Sequence, residues 1–492
     1  MGFGRFGAIA AALLLAGFSP AQAERSAASA ALGAENHPQI LARFGGEVPD
    51  STLRDYVARV AGNIVAVSAQ PDEDWLFTVL DSAQVNAFAL PGGYVYVTRG
   101  LLALAGDEAE LAAVLAHEIV HVTQEHVEAR VDAQAEDQTG EVVGNLLGNL
   151  LGGVISGSEN PLGDALRNTI QDSIGGRMEF SRAQEFEADV QSIPLLIAAG
   201  YDPMAASDFL AAMRDQHALI AELAGRGYNP SQVPFFADHP APDDRIARAA
   251  EIAADMRFIA APERGLDTHL AAIDGMIFGD SPAQGYVRGR AFLHTELGFS
   301  FAVPEGFRIT NTARAVRASG PNGTSIVMDG GRDDGSDLRQ YIARQWLPAL
   351  RSPGQRPIRA SRVRALSING LEAAQTSVTR RVRGQAEELT LTAIRLNGSI
   401  YRFTGTSPRG QDAAQDAMRR AVETFAAMSP DAAAVLQPYR LTRHQIAQGD
   451  TVESLTGSAP ADVAAAEWFA VLNGLPRGSL PAMGEWVKVI QY

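Results

Sequence analysis

The run His117-Glu118-Ile119-Val120-His121 carries three residues whose types and spacing could do chemistry. On a helix, positions i and i+4 share a face, so both imidazoles can reach one metal ion. Glu118 then stands beside it as a general base for a metal-bound water. Leu111, Val114, Leu115 and Val122 make an apolar stripe around the motif, as a buried helix requires. A zinc site built on two histidines takes a third protein ligand and keeps one position open. The chain has no cysteine, so a carboxylate is the natural third ligand. Glu185, Glu187 and Asp189, in the helical segment from Ser181 to Asp189, are the candidates. Glu185 and Asp189 are four apart and share a face, so one can ligate while the other orients a ligand imidazole. Glu187 points elsewhere. On composition alone the same acidic run reads as a solvated helix face.

The elements that must position these groups are legible from periodicity. Asp107 can cap the backbone N–H of Glu110, which predicts a helix from there to about Arg130. Leu53, Tyr56, Val57, Val60 and Ile64 recur at offsets of three and four, predicting a helix over 51–65 with one buried face. The segments 75–80 and 94–97 read as strands, with Pro91-Gly92-Gly93 as a turn before the second and Asn86 to Leu90 between them. His126 lies nine residues after His117, about half a rotation away on a continuous helix, and reads as structural.

Several of these segments in order resemble one family. Asn86-Ala87-Phe88-Ala89-Leu90-Pro91-Gly92-Gly93, then Arg99-Gly100-Leu101-Leu102, then Asp107 to Ala112 and the His-Glu-x-x-His helix are similar to the gluzincin zinc metallopeptidases. That family includes HtpX, the Oma-type proteases, the CAAX prenyl proteases and periplasmic BepA-like proteins. Glu185 to Asp189 resembles the family's Glu-x-x-x-Asp element, and Gly200-Tyr201-Asp202-Pro203 resembles what commonly follows it. The resemblance covers about residues 36–256. It implies Glu185 as the third metal ligand and Asp189 as the support of a ligand imidazole. It also implies Asn86, Ala87, Phe88 and Ala89 as the edge strand along which a substrate peptide is laid. Asp238-His239-Pro240 through Arg245 resembles the family's His-Pro-x-x-x-x-Arg element. By that likeness His239 and Arg245 face developing charge in catalysis, or His239 closes the open metal position as a latch.

The rest of the chain sets context. Of 492 residues, 46% are hydrophobic and 20% charged, which fits a globular chain of about three domains and excludes a disordered or polytopic membrane protein. A formal charge of −16 repels phosphate backbones, so no nucleic-acid partner is expected. Arg5 precedes an apolar run from Ala8 to Ala16, and Ala21-Gln22-Ala23 follows, which predicts an export signal over 1–23, cleaved after Ala23. In residues 140–157 leucines and valines line one side while glycines and asparagines fill the other. That segment reads as a lid, a peripheral membrane contact or a core helix. Short strands over 291–427 resemble, weakly, the PsbP-like α+β domains. The segments Gln448 to Leu455, Trp468 to Leu475 and Gly484 to Ile490 resemble a LysM-type module, which implies peptidoglycan as a partner.

The expected fold is therefore multidomain. A mainly α zincin-type peptidase domain with a small β-sheet spans 24–275, an α+β (PsbP-like) domain 276–430, and a small LysM-like α/β module 431–492. The expected function is a periplasmic zinc endopeptidase with one Zn2+ per chain, acting on protein or peptide substrates among misfolded or mistargeted envelope proteins. The alternative is a chaperone or assembly factor for outer-membrane proteins with a latched, largely inactive metal site.

Overall fold

In the computed structural model, residues 20–126, 182–223, 225, 227, 242–256, 262–350, 360–382, 385–457 and 464–492 are described. His239, the segment 140–157 and the apolar run of the expected leader lie outside these residues.

Helix α1 (Pro20–Phe44) leads to α2 (Ser51–Val65), which starts where the Asp50 carboxylate accepts the N–H groups of Thr52 and Leu53. The predicted stripe of α2 is buried as a set: Leu53, Tyr56, Val57, Val60 and Ile64. Three strands follow, β1 (Leu76–Leu80), β2 (Ala87–Leu90) and β3 (Tyr94–Thr98), in the order β1-β3-β2, with β1 parallel and β2 antiparallel to the central strand. The turn between β2 and β3 needs glycine. Gly93 has φ +80°, and a Cβ there would sit 2.3 Å from the Asp74 carbonyl oxygen. Thr98 ends β3 and caps α3 (Arg99–Leu104) through its hydroxyl.

Helix α4 (Glu108–Thr123) carries the His-Glu-x-x-His motif. Asp107 caps it by accepting the Glu110 N–H at 2.9 Å, while the Glu110 carboxylate accepts the N–H of Gly106 at 2.8 Å. The helix ends at Thr123, not near Arg130. Gln124 and Glu125 close it with N–H bonds to the Val120 and Val122 carbonyls, and Glu125 turns into the left-handed region at φ +49°. Helices α5 (Arg182–Ala198), α6 (Ala205–Leu223) and α8 (Leu266–Ile273) pack against α4, and α7 (Pro242–Asp255) packs against α5 and α6.

The second region opens with β4 (Ile277–Phe278). It then forms a four-stranded sheet containing β5 (Tyr286–Arg288), β6 (Ala291–His294) and β7 (Phe299–Ala302). A seven-stranded antiparallel sheet follows, spanning residues 308–408. The helical stretch 338–349 covers one of its faces with Leu338, Ile342 and Trp346, and α9 (Asp412–Glu423) covers the other with Met418, Ala421 and Val422.

Residues 431–492 supply β8 (Tyr439–Gln445), α10 (Val452–Thr456), α11 (Ala465–Leu472) and β9 (Trp486–Gln491). Strand β8 pairs with β9 on one side and with β4 on the other. Tyr439, Leu441, Leu472 and Ile490 share one apolar core with α2, α3 and α4. The C-terminal elements are thus packed into the peptidase region rather than held apart from it, while Ile446, Phe469, Val487 and Val489 form a smaller cluster of their own.

Candidate metal centre

The sequence places His117 and His121 on one face of α4, and α5 delivers Glu185 opposite them. His117 Nε2 and His121 Nε2 lie 3.1 Å apart, and the two Glu185 oxygens stand 3.4 Å from one ring each. Ligand atoms of all three residues lie within 4.8 Å of one another, and all three are buried. Three buried donors with no room for separate hydration suit a divalent ion: two neutral imidazoles and one carboxylate are the donor types that zinc accepts. Glu118 is buried at 1% exposure on the same helix.

Behind His117 stands the predicted support. His117 Nδ1 donates to Asp189 Oδ1 at 3.1 Å, and Arg245 grips Asp189 in a fork, Nε to Oδ2 and Nη2 to Oδ1, both 2.7 Å. The third Arg245 nitrogen, Nη1, faces Glu185 Oε2 at 2.9 Å. Two buried carboxylates need a compensating cation, which Arg245 supplies to Asp189 and Glu185, and its Nη2 also stands 3.5 Å from His117 Nε2. Burial alone would raise the Asp189 pKa, but the Arg245 charge and fork outweigh it and hold it at about 2. Burial disfavours the His117 imidazolium, yet the hydrogen bonds to Asp189 and Glu185 hold its pKa up at about 9 in the ion-free ring. A metal therefore displaces a proton from this site. A cavity of about 30 Å³ adjoins His117 and Asp189, with Val114, Phe209 and Leu210 also in its lining.

Residues 50–253 match the model of Peptidase family M48. This segment is a family M48 peptidase domain. The M48 domain is 31% identical over 208 residues to the beta-barrel assembly-enhancing protease of Yersinia pestis, covering 42% of this chain and 40% of that protein. It is 33% identical over 219 residues to the mitochondrial metalloendopeptidase OMA1 of Schizosaccharomyces pombe, covering 44% of this chain and 58% of that one. The chain spans about two fifths of the length of the first curated relatives it matches. Another similarity is to the solution structure of cyanobacterial PsbP from Synechocystis, with TM-score 0.25 and 11% identity, over 29% of this chain and 98% of that one.

The structure gathers His117, Glu118, His121, Glu185, Asp189 and Arg245 around one point. Ala87 to Ala89 lie along β2, an outer strand of the sheet, with Asn86 just before it, and β2 packs against α4. Pairing with β3 uses the backbone groups of Asn86, Phe88 and Leu90, so those of Ala87 and Ala89 face outward. Among the described residues nothing is hydrogen-bonded to that edge.

One residue of the site escaped the sequence reading. His126 does not lie across the helix from His121. With α4 broken at Gln124, His126 swings back so that its Nδ1 meets His121 Nδ1 at 2.9 Å, and its Nε2 faces Glu187 Oε2 at 3.5 Å. Gln124 and Glu125 are ordinary helix formers, so propensity gave no sign of the break.

Proposed function

We propose that the chain is an exported zinc-dependent endopeptidase that hydrolyses peptide bonds of misfolded or mistargeted envelope proteins in the periplasm. The observation that carries this reading is the convergence of His117, His121 and Glu185 ligand atoms within 4.8 Å, with Glu118 buried on the same helix. These three residues would hold one ion per chain, with Asp189 orienting His117. When bound, Zn2+ polarises a scissile carbonyl and eases deprotonation of water. Glu118, adjacent in sequence to His117, accepts the proton of the attacking water and delivers it to the leaving amine. His239 supplies positive charge to the oxyanion, and Arg245 acts by fixing Asp189 and Glu185. The outward edge of β2, with the Ala87 and Ala89 backbone groups, receives the substrate as an added strand.

Residues 431–492 belong to the same proposal as a LysM-like module that brings the enzyme to peptidoglycan; co-sedimentation of the full chain with purified peptidoglycan tests it. The deciding experiment for the enzyme is casein cleavage by the purified chain and by Glu118→Gln, each with measured zinc content. Chelator-sensitive cleavage in the wild type, lost in a variant that keeps its zinc, is the expected result. Undiminished cleavage by Glu118→Gln would sink it.

The second reading is an assembly factor for outer-membrane proteins with a latched metal site. It draws on the name of the Yersinia relative, which couples protease to beta-barrel assembly. Full rescue of envelope assembly by Glu118→Gln would decide for it.

A further inference from the structure

The two histidine ligands are backed by different groups. His117 is backed by an anion, Asp189, itself locked by an arginine fork. His121 is backed by a third imidazole, that of His126, which is buried at 4% exposure. A metal on His121 Nε2 would fix which nitrogen of each ring carries hydrogen. His121 Nε2 faces Glu185 and His117, so a metal held by these residues would take its lone pair there and leave the proton on Nδ1. His126 Nδ1, 2.9 Å away, must then accept, which leaves its own proton on Nε2, directed at Glu187 Oε2.

The rest of the surroundings hold His126 in that pose. The left-handed turn at Glu125 is what returns the ring to the helix end. A non-glycine residue there costs of order 1 kcal/mol and persists only where other contacts fix it. Three such contacts involve α5, the helix that carries Glu185. Gln184 Nε2 donates to the His126 carbonyl at 3.3 Å, Gln124 Nε2 donates to Gln191 Oε1 at 2.9 Å, and Gln191 Nε2 donates to Glu187 Oε1 at 2.9 Å.

We propose that His126 is a positioning residue of the metal centre: it accepts the Nδ1–H of His121, fixing that ring's tautomer and plane, and is itself steered by Glu187. The inference rests on the reading of His117, His121 and Glu185 as ligands of a divalent ion. It makes the α4–α5 hydrogen-bond chain part of the site rather than a surface tie. The neutral partner draws less charge onto His121 than Asp189 draws onto His117, so the two ligands differ in basicity by construction.

The test is titration of the metal-free full-length chain with cobalt(II), read by its visible absorption, together with zinc competition against a chelator. His126→Ala should weaken both by roughly 10- to 100-fold and alter the cobalt spectrum. His126→Asn, whose Oδ1 can accept in place of Nδ1, should recover most of the affinity. Circular dichroism of the ion-free variants shows whether they fold. Wild-type affinity and spectrum in His126→Ala would overturn the proposal. So would equal weakening in His126→Ala and His126→Asn, both folded, because that would mean packing rather than the acceptor matters. Absence of cobalt binding by the wild type would instead overturn the metal reading itself, and the inference with it.

Discussion

Lys488, on the last strand of the fold, places its ammonium 2.9 Å from the carbonyl oxygen of Ala103, 385 residues earlier in the chain. It also donates to Leu104 O at 3.2 Å and Ala105 O at 2.8 Å, so one buried cation closes the C-terminal end of α3. Asn473 holds the lysine's backbone in place through Oδ1, which accepts the Lys488 N–H at 2.7 Å. Beyond Ala105 the chain passes Gly106 to Asp107, the cap of the motif-bearing helix, so the C-terminal elements brace the metal site at its root. Lys488→Met should lower stability by about 2–4 kcal/mol, because three buried carbonyls lose a charged donor. Urea unfolding with an unchanged midpoint would contradict this.

Removal of residues 431–492 tests the same bracing at larger scale. It strips Tyr439, Leu441, Leu472 and Ile490 from a shared core. A chain ending near Pro430 should be aggregated or devoid of chelator-sensitive cleavage. A soluble, fully active truncation would show that the tail only tethers.

Arg245→Met should be among the costliest single changes at the site. It leaves the Asp189 and Glu185 carboxylates buried at 7% and 2% exposure without their cation. The expected loss is about 3–5 kcal/mol in the ion-free protein. Added zinc should restore part of it, since the ion supplies positive charge beside Glu185. Thermal unfolding with and without zinc measures both.

Acid sensitivity should trace in part to His269 on α8. Its ring is fully buried between the Tyr56 hydroxyl, 2.9 Å from Nδ1, and the Leu102 carbonyl, 3.2 Å from Nε2. Burial first, and the Lys488 charge second, lower its pKa to about 3. An unfolded histidine titrates near 6.5. Between these values the unfolded state binds the extra proton, so stability is complete above about pH 6.5 and declines as the pH falls toward 3. His269→Gln should flatten that decline in unfolding free energy measured against pH, and an identical slope in the variant would exclude His269 as its source.

Ala89→Pro tests the use of the β2 edge. Its N–H faces away from β3, so the ladder survives proline on this outer strand. Loss of one substrate hydrogen bond of about 1 kcal/mol should raise KM roughly fivefold while zinc content stays the same. Unchanged KM would argue that substrate lies elsewhere.

Much of the site was legible because helical spacing translates directly into shared faces. His117 and His121 needed only the i, i+4 rule, and Asp107 announced the start of α4 by its capping chemistry. The end of that helix was not legible: the turn at Glu125 is set by contacts to Gln184, Gln191 and Glu187, far off in sequence. The same gap hid His126. The role of Lys488 was beyond reach for a related reason. A lysine in a strand pattern reads as solvent-facing, and only the fold shows that α3 ends directly against it.

The sheet that joins β4, β8 and β9 also bears on timing. The family match ends at residue 253, yet the brace under α4 arrives only with Lys488. Closing so long a loop carries an entropic cost that grows with its logarithm, and contacts of such separation form late. During synthesis the motif-bearing helix therefore spends an interval without its support, while the intervening sheets emerge ahead of the final strand. On the proposed function, competence for cleavage would come last, so the emerging chain and its neighbours would be spared until the site is braced.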